Sequence, residues 1–489
     1  MSSLDDIRNE RLKKIELLKE QGMDPYPAES YRTHTNAEFL DSFESLNSAG
    51  ETLTLAGRIM SFRDQGGIIF LDIFDGTTRA QAVLKKDDMD EAHFNFFLEV
   101  VDTSDFIEVT GKPFTTKRGV ESLAVDTWRM LAKSIRPVPD EWFGLKDEDE
   151  RYRKRYLDML LNPEVADLIK KRSIFWNTIR SFMLNRDFIE VETPILETKT
   201  GGAEARPFIT HHNALDIDVF LRISVGELWQ KKLMLGGLPK TFEIGRIFRN
   251  EGMSYEHAQD YTSFEFYESY QDGRTGVPML IELYRTVAQE TFGTLQFTIH
   301  GHEVDLGREW DRLDFNELLQ NKYGFDPRDV SLEEIKKHLD TEGIAYDDTL
   351  DVGRGVDMLW KTIRKTIAGP AVLTGMPVYL EPLAKKNADD PRVVDRFQIL
   401  IGGSELGKGF NELNDPQDQL ERFKAQQALR DAGDEEAQMA DYDYVEALEY
   451  GMPPTFGFGV SERLFSFLAD KPIRETQIFP LMRPRSEEG

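Results

Sequence analysis

Arginines and glutamates beside β-prone segments are the residues of this chain whose types could carry chemistry. Arg249 follows the run TFEIGRIF, and Arg463 follows the glycine-rich run FGFGV. A guanidinium is permanently charged and its forked donors match phosphate oxygens, so two of them could clamp a triphosphate. Carboxylates in the same segments could hold magnesium or a cationic substrate, and the combination indicates ATP with an amine-bearing molecule. These carboxylates are Glu227, Glu251, Glu265, Glu405 and Glu412.

The sequence lacks the short motifs of the common catalytic classes. There is no GxxxxGK[ST] phosphate loop, no GxGxxG between a strand and a helix, and no GxSxG elbow. The 8 histidines form no HExxH zinc pattern, and the absence of cysteine excludes disulfides and thiolate chemistry. Any single arginine is more often a surface or ion-pair residue, so the residues alone leave the function open.

Composition indicates a globular protein of several domains. The chain has 489 residues, 40% of them hydrophobic and 30% charged, which at roughly 100–200 residues per domain predicts two to four domains. No apolar run reaches the roughly 18 residues of a membrane span, and the first residues lack an apolar signal region, so we expect a cytoplasmic protein without membrane contact. A net charge of −28 argues against non-specific nucleic-acid binding but not against a specific RNA partner.

The first part of the chain predicts a helix and then a barrel. Residues 4–21 show helical periodicity, and their basic face is either solvated or turned toward RNA. Five β-prone runs follow between residues 52 and 131. An Asp-Gly pair between the second and third runs indicates a tight turn, and a helix is predicted after the third run. This is the pattern of an OB-fold, a barrel that commonly binds oligonucleotides. Candidates for its binding face, each with ordinary packing or solvation as the alternative, are Arg63, Phe70 and Gln81.

The remainder predicts a mixed domain joined to the barrel by a linker. Residues 138–150 are rich in proline and acids without periodicity, which is typical of a linker. We therefore predict an α+β protein with an N-terminal helix and OB-fold at 1–137 and a second domain at 151–489. Within the second domain, residues 168–184 predict a helix, FIEVETPIL predicts a strand, and residues 320–370 have the texture of a helical insertion.

Three segments resemble the signature motifs of class II aminoacyl-tRNA synthetases. They are DFIEVETPIL (187–196), FRNEG with YTSFEFY (248–267) and GFGVSERL (457–464). Within that class the chain resembles the bacterial lysyl-tRNA synthetases over nearly its whole length. The resemblance implies a six- or seven-stranded antiparallel sheet flanked by helices, in a homodimer. The strings that carry it are ERYRKRYLDMLLN (150–162), ARPFITHHNALDID (205–218), FEIGRIFRNEG (242–252), GFNELND (409–415) and ALEYGMPPT (447–455).

The resemblance also implies a reaction and roles for the phosphate-binding residues. Lysine and ATP would give lysyl-adenylate, which then passes lysine to the 3′ end of tRNA(Lys). Arg249 would bridge the α-phosphate and the lysine carboxylate, and Arg463 would hold the γ-phosphate. ATP placement would fall to Glu251 and His257, with Tyr261 stacked on adenine. Mg²⁺ would be the cofactor, bound at Glu405 and Gln398.

The same resemblance implies how lysine and the anticodon are recognised. The α-amino group would go to Glu227 and Glu265, and the ε-ammonium to Glu412 and Tyr267, with Phe410 beside the alkyl stem. A buried carboxylate left unpaired costs several kcal/mol, so a neutral side chain of similar size would be rejected. In the barrel, Phe70 would stack on an anticodon base while Arg63 and Gln81 bond to base edges.

The chain departs from the family pattern near the predicted site. Gln398 stands where a second metal-binding glutamate is usual, and Lys408 where asparagine is usual. The third motif is one residue shorter between its glycines and Arg463. AQDY (258–261) replaces Asn-Pro-Glu-Phe, and Asp187 replaces a common glycine at a position that we expect to have positive φ.

Two other functions remain open at this point. One is a sibling synthetase for aspartate or asparagine, which shares the architecture but needs a cationic or amide-reading pocket. Glu412 and Tyr267 disfavour that reading, whereas Lys408 favours it. The other is a catalytically silent RNA-binding paralogue, for which the departures are the only support.

Overall fold

The computed structural model describes residues 4–139, 145, 147–203, 205–252, 254–348, 350–431 and 438–485. The chain divides into two compact units, Met1–Lys146 and Asp147–Gly489. Residues 140–144 and 146 of the predicted linker at 138–150 lie outside the described residues, and its C-terminal part begins a helix at Glu148. No helix in the described part of the chain is long and apolar enough to cross a membrane.

The first unit is a closed barrel preceded by helices. Its strands run in the order β1-β2-β3-β5-β4 with α4 after the third strand, which confirms the predicted OB-fold. Its elements are α1 (Leu4–Glu20), α2 (Asn36–Asp41), α3 (Phe43–Ala49), β1 (Leu53–Asp64), β2 (Ile68–Phe74), β3 (Arg79–Lys85), α4 (Glu91–Val100), β4 (Phe106–Thr115) and β5 (Glu121–Ala132).

Alternation of apolar residues builds the barrel core. In β2, Ile69, Leu71 and Ile73 are buried while the residues between them are more exposed, because successive side chains of a strand point to opposite faces. The predicted turn between β2 and β3 is present, with Gly76 at a φ of 95°. Glycine also lets β4 and β5 approach, since a Cβ at Gly111 would overlap the carbonyl of Ala124.

The basic face of α1 is partly a packing surface. Arg11 is buried and its Nη1 donates to the Ser134 carbonyl at 2.9 Å. Lys14 Nζ lies 2.8 Å from Asp102 Oδ1. Both side chains attach the helix to the barrel. The prediction that the basic face is solvated or turned toward RNA is therefore wrong for these two residues. Lys13 and Lys19 instead form exposed pairs within the helix.

The second unit contains a large sheet, two small sheets and surrounding helices. Its elements are α5 (Glu148–Arg153), α6 (Arg155–Leu161), α7 (Pro163–Leu184), β6 (Ile189–Glu190), β7 (Leu196–Glu197), β8 (Ile209–His212), β9 (Ile217–Leu221), α8 (Glu227–Leu235), β10 (Lys240–Phe248), β11 (Asp260–Ser269), α9 (Gly273–Phe292), β12 (Gln296–Ile299), β13 (His302–Asp305), β14 (Asp311–Asp314), α10 (Phe315–Tyr323), α11 (Leu332–Glu342), α12 (Val352–Arg364), β15 (Ala371–Thr374), a 3₁₀ turn (Val378–Leu380), β16 (Arg396–Ile401), β17 (Ser404–Asn411), α13 (Pro416–Asp431), α14 (Tyr442–Glu449), β18 (Thr455–Ser461), α15 (Arg463–Leu468) and α16 (Ile473–Thr476).

The large sheet has eight strands in the order β14-β15-β16-β17-β18-β11-β10-β6. Neighbouring strands from β15 to β10 are antiparallel, whereas β14 and β6 pair in parallel at the two edges. The expected antiparallel sheet flanked by helices is therefore confirmed. The sheet has eight strands rather than the expected six or seven, because the short strands β14 and β6 pair at its two edges.

The first motif is not the continuous strand that its sequence predicts. Only Ile189–Glu190 pairs with β10, and Leu196–Glu197 belongs to a separate three-stranded sheet. Proline has no N–H for a ladder, and the Thr193 N–H donates instead to a carboxylate oxygen of Glu243 at 3.0 Å. Asp187 has a φ of 65°, as expected for the residue that replaces glycine there.

Candidate functional site

One face of the large sheet forms a cavity of about 370 Å³. Strands β10, β11, β16, β17 and β18 supply its floor, and the first turn of α8 closes one end. Of the predicted site residues of the second unit, Glu251 is not among the lining residues and is half-buried. The others line this cavity: Glu227, Arg249, His257, Tyr261, Glu265, Tyr267, Gln398, Glu405, Phe410, Glu412 and Arg463.

Strand register sets the acidic end of the cavity. Glu265 and Tyr267 lie two residues apart on β11, so they share a face. Opposite them on β18 stand Gly459 and Gly457, and Gly457 also pairs with Phe410 on β17. On the cavity face, β18 therefore has no side chain at positions 457 and 459, which leaves space between the side chains of β11 and β17. A Cβ at Gly457 would overlap Oε1 of Glu412 and lie 2.6 Å from the Tyr267 ring.

Glu265 and Glu412 are buried carboxylates with different surroundings. Glu265 accepts hydrogen bonds from the Val225 N–H at 2.8 Å and from the Tyr267 hydroxyl at 3.0 Å. Burial, reinforced by nearby Glu227, raises the pKa of Glu265 to about 7. Burial likewise raises the pKa of Glu412 to about 8. Glu412 Oε1 accepts no hydrogen bond from the described residues, whereas its Oε2 is paired with an ammonium group of the protein.

Lys231 also belongs to this acidic end, and the sequence reasoning missed it. Its Nζ lies 2.8 Å from Glu227 Oε1 and 2.5 Å from Glu412 Oε2. The signal for it was its position four residues after Glu227 in α8, where two side chains of a helix meet. Two adjacent lysines usually indicate a solvent-exposed position, but Lys231 is buried.

The two predicted phosphate-binding arginines stand differently in the cavity. Arg249 is half-buried, its guanidinium carbon lies 5.9 Å from the centre of the Tyr261 ring, and its hydrogen bonds to the Ile223 carbonyl are long, at 3.4 Å. Arg463 Nη2 donates to Glu256 and to the Ser404 hydroxyl, the latter at 3.1 Å. The shortened third motif therefore still brings Arg463 into the cavity.

Arg463 shapes the charge of its neighbours. Burial favours the neutral form of Glu256, yet Arg463 and the Ser404 hydroxyl hold the pKa of Glu256 below its usual range. Burial and the same arginine lower the pKa of His257, so His257 is neutral near pH 7. Sequence reasoning missed Glu256, which lies between the second motif's two halves.

The candidate metal ligands already have hydrogen-bond donors. Glu405 accepts from Trp360 Nε1 at 2.7 Å, and Arg364 lies 3.3 Å from its other oxygen. Although burial opposes it, Arg396 and Arg364 hold the pKa of Glu405 below its usual range. Gln398 Oε1 accepts from Arg396, and its Nε2 donates to the Gly407 carbonyl at 3.0 Å. Across the described ranges, no three His, Cys, Asp or Glu side chains converge as a metal cluster.

Lys408 is paired away from the acidic end. It lines the cavity opposite Gln398 in the β16–β17 ladder, but its side chain is 45% exposed and its Nζ lies 3.5 Å from Glu381. Glu381 also accepts from Arg396. Lys408 therefore brings no unpaired cation to Glu412. Its presence no longer favours a synthetase for aspartate or asparagine.

In the barrel, the three predicted anticodon-binding residues share one face. Arg63 on β1 pairs directly with Phe70 on β2. Phe70 and Asp72 point to the same side, and Asp72 pairs with Gln81 on β3. Arg63 is exposed, and Phe70 and Gln81 are half-buried. The Gln81 Oε1 accepts from the Ser122 hydroxyl at 2.9 Å. An aromatic ring thus lies between hydrogen-bonding groups.

Comparison with known proteins assigns both units. Residues 147–483 match the family described as tRNA synthetases class II (D, K and N), and residues 53–138 match the OB-fold nucleic acid binding domain. A lysine–tRNA ligase of Fervidobacterium nodosum is 42% identical, over 99% of this chain and 95% of its own length. The lysine–tRNA ligases of Thermotoga maritima and Roseiflexus sp. (strain RS-1) are 40% and 41% identical, over 99% of this chain and 97% and 99% of theirs.

Proposed function

This chain belongs to the lysine–tRNA ligase family of class II synthetases, and we propose that the cavity on its large sheet is where lysine and ATP react. The family attaches lysine to tRNA(Lys) with ATP. The observation that carries the site assignment is the buried Glu412 carboxylate, whose Oε1 accepts no hydrogen bond from the described residues, in the same cavity as Arg249 and Arg463.

Lysine lies with its side chain toward the acidic end. Its ε-ammonium binds Glu412 and the Tyr267 hydroxyl, and its stem packs on Phe410. The α-ammonium binds Glu227 and Glu265. A buried carboxylate is strongly stabilised by a cationic partner and costs free energy when its partner is neutral. This end of the cavity therefore selects an amino acid with a cationic side chain.

ATP lies at the arginine end of the cavity. Arg249 holds the α-phosphate against the lysine carboxylate, and Arg463 holds the γ-phosphate. Glu251, the neutral His257 and Tyr261 position the nucleotide, with the Tyr261 ring on adenine. These groups place the reactants and stabilise charge rather than forming covalent bonds to them, which accounts for large accelerations in other enzymes.

The chemistry has two transfers. A lysine carboxylate oxygen attacks the α-phosphorus, the bond to the bridging oxygen breaks, and pyrophosphate leaves with the electron pair. The 3′-terminal ribose hydroxyl of tRNA(Lys) then attacks the carbonyl carbon of lysyl-adenylate. The bond from that carbon to the phosphate oxygen breaks, AMP leaves with the electron pair, and the hydroxyl proton is released to solvent. Arg249 neutralises charge at the α-phosphate during the first transfer.

The residues that would hold Mg²⁺ beside ATP are Glu405 and Gln398. Mg²⁺ commonly uses one or two carboxylates plus substrate phosphates, and Glu405 is a carboxylate of that kind at the arginine end. Gln398 would be a weaker ligand because its amide oxygen is uncharged and accepts from Arg396. The bound ion would neutralise phosphate charge. Glu405→Gln should raise the Mg²⁺ concentration for half-maximal rate by about tenfold, and an unchanged requirement would remove Glu405 from the metal site.

The barrel reads the tRNA anticodon, with residues 1–137 as the tRNA-binding domain and 151–489 as the catalytic domain. Phe70 stacks on a base, and Arg63 and Gln81 bond to base edges. Stacking on one aromatic ring is worth about 1–3 kcal/mol. Phe70→Ala should therefore raise KM for tRNA(Lys) about tenfold or more and leave tRNA-independent adenylate formation unchanged.

The chain works as a homodimer in the cytoplasm, where tRNA charging serves the ribosome. Large apolar side chains that are exposed in one chain concentrate around the first motif, and such a patch marks an interface. Leu196→Glu should give a monomer by light scattering. A dimer in that variant would place the interface elsewhere. The exposed side chains are Ile174, Leu184, Ile189, Ile195, Leu196 and Ile209.

ATP–pyrophosphate exchange with each of the twenty amino acids, without tRNA, tests this assignment. Exchange with lysine, lost in Arg249→Ala, is the expected result. Exchange with aspartate or asparagine instead would overturn the lysine pocket. Folded protein that exchanges with no amino acid would make the chain a silent RNA-binding paralogue.

A further inference from the structure

Lys231 occupies the end of the cavity that holds the residues assigned to the substrate. Its Nζ bridges Glu227 and Glu412, at 2.8 Å and 2.5 Å. The rings of Phe410 and Tyr267 have their centres 5.2 Å and 5.8 Å from the same atom. Four of the five residues assigned to lysine binding therefore contact a lysine of the protein itself, whose side chain is 1% exposed.

One ammonium does not balance the acidic charge around it. Glu227, Glu265 and Glu412 are all buried, so with Lys231 the group carries two net negative charges when ionised. Glu412 Oε2 is paired with Lys231, but its Oε1 accepts no hydrogen bond from the described residues. Buried charge without compensation costs several kcal/mol. The cluster is thus short of two positive charges and of a hydrogen-bond donor for Glu412 Oε1.

Free lysine supplies both. Its α- and ε-ammonium groups carry two positive charges, and its carboxylate is assigned to Arg249, outside this cluster. We propose that Lys231 is a positioning residue that sets the acidic end at two net negative charges, so that only an amino acid with two ammonium groups neutralises it. This inference rests on the proposed site and explains why a pocket for a cation contains a cation of its own.

The position of Lys231 is fixed by its helix. It lies one turn after Glu227 in α8, and its ammonium forms a hydrogen bond to that residue. Burial alone would lower the pKa of Lys231, but Glu227 and Glu412 hold it above its usual range. The ammonium therefore stays charged and in place while the substrate binds beside it.

Removal of this charge would change the protonation of the cluster. The groups that face Lys231 are Glu227 from α8, Glu265 and Tyr267 from β11, Glu412 after β17, and Tyr444 from α14. The pKa values of Glu265 and Glu412 are already raised with Lys231 present. Without the ammonium, the three carboxylates repel one another more strongly, so at least one of them holds its proton to higher pH. Lysine then has to displace that proton, so the acidic limb of kcat/KM for lysine moves to higher pH.

The test compares three variants of the full chain in ATP–pyrophosphate exchange from pH 6 to 9. Lys231→Met should move the midpoint of the acidic limb upward by one pH unit or more. Lys232→Met is the matched control, because Lys232 lies next in the helix over the Trp229 ring, and its midpoint should equal the wild type. Glu227→Gln combined with Lys231→Met restores two negative charges and should return the midpoint and the thermal stability toward wild type, even if the rate stays low.

The outcomes separate this inference from the site assignment. Wild-type protein without lysine-dependent exchange would refute the proposed site itself. Lysine-dependent exchange with an unmoved midpoint in Lys231→Met would refute the role of Lys231 alone. If Lys231→Met does not fold, a double variant that is no more stable also contradicts the proposal, because Lys231 would then serve packing rather than charge.

Discussion

Gly457 leaves the space that the carboxylate of Glu412 occupies: a Cβ at position 457 would overlap Oε1 of Glu412. The glycine stands on β18 between Tyr267 and Phe410. Its lack of a side chain therefore gives the acidic end of the cavity its depth.

Gly457→Ala should impair the use of lysine selectively. Forcing one methyl group into a packed site costs about 1–3 kcal/mol, so kcat/KM for lysine should fall about tenfold to hundredfold, with KM for ATP little changed. Initial rates of exchange at varied lysine and ATP measure both. Gly236→Ala is the control, because Gly236 ends α8 in a right-handed conformation that alanine adopts. Equal losses for lysine and ATP would show a general disturbance instead.

Lysine should stabilise the protein more as pH rises. The pKa values of Glu265 and Glu412 are raised to about 7 and about 8 without lysine, so the folded state favours their protonated forms. Their stabilising contribution is complete below about pH 4.5 and is lost as pH rises toward 8. Bound lysine supplies the opposing charges, so the increase in Tm with lysine should grow from pH 5.5 to 8.5. Glu412→Gln should flatten this trend, and a constant increase in wild type would contradict the assigned pKa shifts.

Glu256 should compete with ATP for Arg463. Arg463 donates to Glu256 in the structure, and partly exposed ion pairs are worth up to about 1 kcal/mol. Glu256→Gln should therefore lower KM for ATP about threefold to fivefold, whereas Arg463→Ala should raise it more than tenfold. Both are measured at saturating lysine. A rise of KM in Glu256→Gln would mean that Glu256 orients Arg463 for ATP rather than competing with it.

Alternation along strands made much of the cavity predictable. Glu265 and Tyr267 share a face of β11 by strand geometry alone, and the OB-fold followed from the order of short strands, turn and helix. The assignment to class II rested on motif strings rather than on any physical rule, since isolated arginines and glutamates fit many functions.

Contacts between distant segments made the rest unpredictable. The sequence around Lys231 predicts an exposed cation. Its burial depends on the contact with Glu412, which lies 181 positions later in the chain. The sequence places Arg11 on a basic helix face, and only the structure shows that Arg11 donates a hydrogen bond to the Ser134 carbonyl. The strand predicted in the first motif ends early because the Thr193 N–H finds a carboxylate on β10. Each case depends on a partner that local pattern does not reveal.

Discrimination between lysine and norleucine tests the central claim most directly, because norleucine is lysine without its ε-ammonium. A site built around a hydrogen-bonded charge rejects the analogue that lacks it by about 10⁴. We predict that ratio of kcat/KM in ATP–pyrophosphate exchange for wild type, and a ratio of about 10 for Glu412→Gln, with Tm showing that the variant is folded. A Glu412→Gln protein that keeps the wild-type ratio would contradict the assignment of Glu412 as the residue that selects lysine.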